Sequence, residues 1–318
     1  MTAKQMAIPE VETEFQAGFR HEALIYSDSD AFLARALPFV RAAVEAGEPV
    51  LVAVSDRNVG LLGRELGSAA AEVRFAAIEQ LARNPARMIS FWWGFLEEHE
   101  GDPVRGIEEL VWPGRSGAEI DECERHEALL NVAFPADAPI SLLCAYDGST
   151  LPEEVIGGVP SCHQLVLSDD AVQSGGDRHA GRDFFAGGLP PRPVDATSFE
   201  FDRDGLAEVR HRTKRAADAA GLSRPAAADL VVAASELAAN SVAHGGGRGT
   251  LRTWREGDRL LVEFEDSGWI SEPLVGRLRP AITQEGGRGL WLANQLCDLL
   301  QIRSGSAGTV VRLQAARA

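Results

Sequence analysis

Glu236 and Asn240 stand four residues apart in the run Ser235–Gly245, SELAANSVAHG. On a helix that spacing points both side chains from one face. An amide oxygen is a hard donor suited to a Mg2+ ion that bridges phosphates. A carboxylate beside it can orient or deprotonate an attacking hydroxyl or water. Alone, the pair is equally the polar edge of an amphipathic helix. Two later segments shift that balance. Arg259–Phe264 has a strand pattern and runs into Glu265-Asp266-Ser267-Gly268. Asp266 is thereby fixed just past a strand, where its carboxylate can accept from an exocyclic amine such as that of adenine, and Gly268 lets backbone approach the base. Gly286-Gly287-Arg288-Gly289 then leads into LWLANQLCDLL. Glycines before a helix expose backbone donors to phosphate, and the helix dipole adds to the attraction. Arg288 either adds charge there or faces solvent. Thr309, in Gly308–Leu313, can bond a phosphate or the network around a nucleotide.

The elements that must position these residues are legible around them. Ser223 followed by Pro225 is a helix start, with serine as cap and proline in the first turn. The helix that follows carries Leu230, Ala234, Leu237 and Val242 on a broadly apolar side and ends at His244 before three glycines. Leu206–Ala220 is a second helix. Leu300–Arg303 and Gly308–Leu313, joined by a Gly-Ser turn, form a hairpin. Residues 168–198 carry two Gly pairs and the run Pro190-Pro191-Arg192-Pro193, a composition that divides the chain, with Phe184 and Phe185 placed to dock on one side or the other. The expected organisation is a tail over 1–18, a domain over 19–167, a linker over 168–198 and a second domain over 199–318.

In the first domain, apolar runs alternate with helical patterns. Pro49–Ser55 reads as the first strand, buried on both faces. Arg87–Phe91 and Ile140–Ala145 are further strands, and Ala31–Ala46, Gly94–Glu100 and Gly117–Val132 are helices. This is an α/β layer structure with a mainly parallel sheet. Ligands of such sheets sit beyond the strands' carboxyl ends, where Asp56 and Asp147 fall, although an Asp there commonly caps a helix or turn. The segment SDRNVGLLGREL lacks the lysine and the following hydroxyl of a phosphate-wrapping P-loop. His21 and Tyr26 are five apart, so a strand would set them on opposite faces. Trp92, Trp93 and Trp112 suit core packing as well as a pocket. Glu124, Arg125 and His126 are consecutive on a helix, point in different directions and form no triad.

Apolar residues make up 45% of the 318, charged residues 25%, and the formal net charge is −16. Such an acidic surface repels nucleic acid and anionic membrane. The four cysteines, Cys123, Cys144, Cys162 and Cys297, show no C-x-x-C spacing and are too few for a disulfide scaffold. With no signal-peptide core and no long uncharged apolar stretch, the expected setting is cytoplasmic.

The runs GFRHEALIY, PVLVAVS, ERHEALLN and LLCAYD resemble the MEDS sensory domain, a RecA-like α/β module. The resemblance implies a ligand or signal input. His21 and Tyr26 match the ends of its H-x-C-x-x-Y motif, with Ala23 at the cysteine position. Residues 199–314 resemble the GHKL (histidine-kinase-like) ATPase superfamily, an α+β domain with a mixed sheet backed by helices, and within it the anti-sigma-factor serine kinases of the RsbW and SpoIIAB type. That resemblance implies ATP and Mg2+ as cofactors, Glu236 as catalytic base and Asn240 as magnesium ligand. It also implies Asp266 and Gly268 at adenine, Gly287, Arg288 and Gly289 at the phosphates, and Thr309 at the last nucleotide position. The implied partners are a STAS-type anti-sigma-factor antagonist, a sigma factor, or a second copy in a homodimer. Trp269–Glu285 leaves room for only a short lid. His211 lies on the ATPase domain's own helix rather than on a separate phosphoacceptor hairpin, and His179 falls in the linker. The alternative function is a non-catalytic interaction switch whose conformation ATP sets.

Overall fold

The computed structural model describes residues 18–176, 183–281 and 287–317. Gly286, His179, the tail before Gly18 and the end of the short lid lie outside the described residues. The chain forms two compact units. The first takes the described residues up to Gln80, then 94–116 and 134–176; the second takes 81–93, 117–133 and the described residues from 183 onward.

Strands and helices alternate through the first part of the chain: β1 (Arg20–Tyr26), α1 (Ser29–Ala46), β2 (Val50–Val54), α2 (Asp56–Leu66), β3 (Val73–Ala77), α3 (Ile78–Leu81), α4 (Met88–Glu98), β4 (Val104–Glu108), α5 (Gly117–Ala133), β5 (Ile140–Asp147), α6 (Glu153–Gly158), β6 (Leu165–Leu167) and β7 (Val172–Ser174). The seven strands make one sheet in the order β3-β2-β4-β5-β1-β6-β7, parallel except for β7. β2 is buried on both faces, as VLVAV demands. α1 starts where Asp28 accepts from the Ala31 amide at 2.9 Å and stops at Gly47 in the left-handed region. Its buried Phe32, Ala36 and Val40 pack with Leu62 of α2 over Leu24, Tyr26, Val52 and Leu143.

Three sequence expectations change here. The strand expected over Arg87–Phe91 is helical. Asn84 accepts from the Ala86 amide, Pro85 begins a short 3-10 turn, and the apolar run MISFWW continues into α4. A short apolar run carries no period that separates strand from helix. β4 escaped notice because VRGIE carries two charged residues, yet all five of its residues are buried. Arg105 is satisfied there by Glu48, Nε to Oε2 at 2.6 Å. Finally, Val50–Val54 is the second strand. The link from β1 to α1 is Ser27-Asp28, too short to wrap a phosphate.

The second unit is built on β8 (Thr197–Asp202), α7 (Leu206–Ala220), α8 (Arg224–His244), β9 (Arg248–Glu256), β10 (Arg259–Asp266), α9 (Arg288–Leu296), β11 (Leu299–Gly305) and β12 (Gly308–Ala316). Where a mixed sheet was expected, the five strands pair antiparallel in the order β11-β12-β10-β9-β8. Leu230, Ala234 and Leu237 of α8 pack with Val209 of α7, Ala293 of α9 and Val262, Phe264 and Leu313 of the sheet. The Ser223 hydroxyl caps α8 and Pro225 sits in its first turn. Among the described residues α8 alone is long and apolar enough to cross a membrane. Its buried face belongs to this core.

Candidate functional site

A cavity of about 370 Å3 opens between the end of α8, the end of β10, the start of α9 and β12. Asn240, Asp266, Gly268, Gly287, Gly289 and Thr309 all line it, with Leu237, Phe264, Leu290 and Val311 as apolar walls. Residues from four separate stretches thus meet in one concavity.

Glu236 and Asn240 are half-buried and share the face of α8 turned toward the start of α9. Gly289 stands against both of them. A Cβ there would lie 2.8 Å from Glu236 Oε2 and 3.3 Å from Asn240 Nδ2. Only glycine lets the first turn of α9 come this close to the carboxylate–amide pair. Gly287 caps α9 with φ of 74°, a conformation that glycine adopts without strain, and it lines the cavity together with Gly289.

Asp266 is held from two directions. Its Oδ2 accepts from the Ser241 hydroxyl at 2.6 Å, and its Oδ1 accepts from the Gly268 amide at 2.8 Å. Lone pairs remain on both oxygens for a donor in the cavity. A Cβ on Gly245 would come within 2.4 Å of the Asp266 carboxyl carbon, so Gly245 is what leaves this carboxylate room. Thr309 is spent on the loop. Its hydroxyl donates to the Gly268 carbonyl at 2.9 Å and meets the Ser304 hydroxyl at 2.8 Å, which in turn accepts from the Ile270 amide. Arg288 is exposed and donates to the Ala281 carbonyl at 3.3 Å. Trp269 lines the cavity and is 75% exposed. The sequence offered no signal for Ser241, Gly245 or Ser304 beyond their neighbours in the motifs.

The helix α9, whose start borders the cavity, is braced at its far end. Asn84 Nδ2 donates to the Asn294 carbonyl and side-chain oxygen at 3.0 Å each, and Arg87 donates to the carbonyls of Asn294 and Cys297 at 3.0 and 2.7 Å. These bonds satisfy the orphan carbonyls at the end of α9. Behind the cavity wall at Val275, Arg277 and Arg303 are buried and both donate to Glu122, at 3.1 and 3.2 Å. Burial lowers the Arg277 pKa from its usual value, and the Glu122 carboxylate works against that shift.

The donor set suits Mg-ATP. A cavity with apolar walls carries the Asp266 carboxylate for a purine amine, the Asn240 amide, whose oxygen can take a divalent ion, stands beside the start of α9, and the glycine turn opens that helix start to phosphates.

In the first unit His21 and Tyr26 face opposite sides of β1. Tyr26 donates to Glu109 Oε1 at 2.6 Å and accepts from Asn58 at 3.1 Å, while Glu109 also accepts from the Ser55 amide. Burial first, then the Glu109 charge, raises the Tyr26 pKa far above its usual value, so the phenol is a fixed donor. His21 lies on the other face, with Cys144 Sγ 3.4 Å from its Nε2. Ala23 is the register partner of Cys144. The thiol absent from position 23 is therefore present on the neighbouring strand. Asp147 accepts from the Ser149 amide and hydroxyl and shapes a turn, and Asp56 occupies the first turn of α2.

Residues 20–164 match the family model described as MEDS: MEthanogen/methylotroph, DcmR Sensory domain. Residues 199–315 match that of the histidine kinase-like ATPase domain. No curated protein matches the chain. Among solved structures, the RsbU and RsbW domains of Rv1364c from Mycobacterium tuberculosis are similar at 20% identity, with a TM-score of 0.29, over 39% of this chain and 33% of that one. The chain therefore spans about a third of the length of that relative.

Proposed function

We propose, for a chain that joins a MEDS domain to a histidine kinase-like ATPase domain, that it is a signalling regulator in which the first receives a signal and the second answers through Mg-ATP. The parallel sheet of the first unit, with helices in its crossovers, supports a RecA-like sensory layer. The observation that carries the reading is the single cavity in which Asn240, Asp266, Gly287 and Gly289 converge.

In this reading Asp266 accepts from the adenine amine, with Gly268 against the base. Asn240 offers its oxygen to magnesium, and the Gly287–Gly289 turn and the α9 amides hold the phosphates. Thr309 acts indirectly by pinning the Gly268 carbonyl, and Arg288 reaches the phosphates only by leaving Ala281. Bound Mg2+ supplies charge neutralisation for the transferring phosphoryl group. Glu236 takes the proton of a partner serine as its oxygen bonds the γ-phosphorus and the bridge to the ADP leaving group breaks. The partner is a STAS-type anti-sigma-factor antagonist, and a sigma factor is a second partner sequestered by the same domain, as a monomer or a homodimer. The setting is cytoplasmic.

The test is transfer from labelled ATP to a candidate antagonist. Phosphoserine formed by the wild type and reduced about 100-fold or more in Glu236→Gln, with ATP still bound, is the expected result. Nucleotide-dependent partner binding with no transfer by the wild type would replace the kinase with an interaction switch.

A further inference from the structure

Three buried side chains of the first unit that the nucleotide reading does not use converge on the sheet face opposite α1 and α2. They are His21 on β1, Cys144 on the neighbouring β5 and His163 just before β6. One donor atom from each lies within 4.8 Å of the others. The His21 and His163 rings are 4.2 Å apart between centroids. All three residues are at most 1% exposed.

The chemistry of the donors is set by their surroundings. His163 Nδ1 lies 2.7 Å from the Val159 carbonyl oxygen. Only an N–H can satisfy a carbonyl, so Nδ1 carries a proton and Nε2 is the ring nitrogen that a metal would take. That arrangement orients a metal-ligating imidazole from behind. Cys144 Sγ lies 3.5 Å from Glu108 Oε1, with Glu108 fully buried. The thiol donates to that carboxylate, and once its proton is displaced the sulfur and the buried carboxylate together call for two positive charges.

We propose that His21, Cys144 and His163 form a binding site for a divalent metal ion of the zinc class, with Glu108 as the carboxylate that balances its charge. Metal–nitrogen bonds of about 2.1 Å and a metal–sulfur bond of about 2.3 Å in a tetrahedron set donors roughly 3.6 Å apart. The 3.4 Å between Cys144 Sγ and His21 Nε2 is already at that spacing, and small rotations close the remaining separations. Two imidazoles and one thiolate suit Zn2+ over Mg2+ or Ca2+. On binding, the Cys144 S–H bond breaks, the sulfur electron pair goes to the ion and the proton leaves to solvent. The site is independent of the nucleotide cavity and of its interpretation.

The experiment uses the full chain, stripped by chelator and titrated with Co2+ as a spectroscopic probe. The expected result is one equivalent bound, with a thiolate-to-cobalt charge-transfer band and the visible bands of tetrahedral cobalt, both lost on adding Zn2+. Cys144→Ser should lose the charge-transfer band, and His21→Gln and His163→Gln should weaken binding at least about 10-fold. Cys162→Ser, which removes a buried thiol resting against Ser161, should leave the spectrum unchanged. If Cys144→Ser does not fold, Cys123→Ser, Cys162→Ser and Cys297→Ser identify the ligand by elimination, each keeping the band. A wild-type titration without charge transfer overturns the proposal, as does a band that survives Cys144→Ser or vanishes in one of the other three.

Discussion

Replacing Gly289 with alanine separates fold from chemistry at the nucleotide site. Gly289 lies in the first turn of α9, where alanine gains at most about 1 kcal/mol over glycine. The new methyl would stand 2.8 Å from Glu236 Oε2, 3.3 Å from Glu236 Cβ and 3.3 Å from Asn240 Nδ2. The carboxylate oxygen is the far end of a flexible side chain and can rotate away. The contact with Glu236 Cβ is rigid and costs about 1 kcal/mol of overpacking at the low end of such insertions. The two terms nearly cancel, so the unfolding midpoint should move by little. The site fares differently, because the carboxylate escapes only by leaving the start of α9, where the attacking hydroxyl must come. Loss of a positioned base is worth about 100-fold to 10,000-fold in rate. Calorimetric unfolding, ATP titration and phosphotransfer on Gly289→Ala should therefore give a nearly wild-type melt and a transfer rate down about 100-fold or more. A variant with wild-type transfer would refute the claim that Glu236 works beside this turn. A variant that simply unfolds would refute the cancellation.

Glu122→Gln should destabilise the second unit by about 3–5 kcal/mol in urea unfolding, because it leaves Arg277 and Arg303 buried without a counter-charge. It should also weaken ATP binding, since Arg277 follows the cavity wall at Val275. A change below about 1 kcal/mol would show that water already screens the pair. Tyr26 has its pKa raised in the folded chain, so its contribution to stability is present below the unfolded value near 10 and is lost as pH rises beyond it. The stability of the wild type should fall above about pH 10 more steeply than that of Tyr26→Phe, and parallel pH profiles would contradict the buried phenol–Glu109 bond.

The sequence was most informative where a residue type has one backbone or chemical use. Ser223 and Pro225 placed the start of α8, and Asn240, Asp266 and the glycine turn, read from the sequence as one group, line one cavity, with Glu236 beside Gly289 rather than in the lining. It was least informative where burial inverts the usual meaning of a residue. Arg105 and Glu108 hid β4, because charged residues buried inside a parallel sheet look like a surface loop. The Arg87–Phe91 segment hid a helix as a strand, because so short an apolar run has no readable period. Long-range pairings such as Glu122 with Arg277 and Arg303, or His21 with Cys144 and His163, have no trace in spacing along the chain. They appear only when strand order brings distant residues together.

In the proposed function Asn240 and Asp266 serve one nucleotide in one cavity. Calorimetric titration of the full chain with ATP, with and without Mg2+, tests it most directly when repeated on Asn240→Ala and Asp266→Asn. The expected result is magnesium-dependent binding of one ATP, loss of the magnesium dependence in Asn240→Ala, and affinity lowered roughly 10-fold to 100-fold in Asp266→Asn, where an acceptor becomes a donor facing the amine. ATP binding that ignores magnesium, or that both variants leave intact, would contradict it.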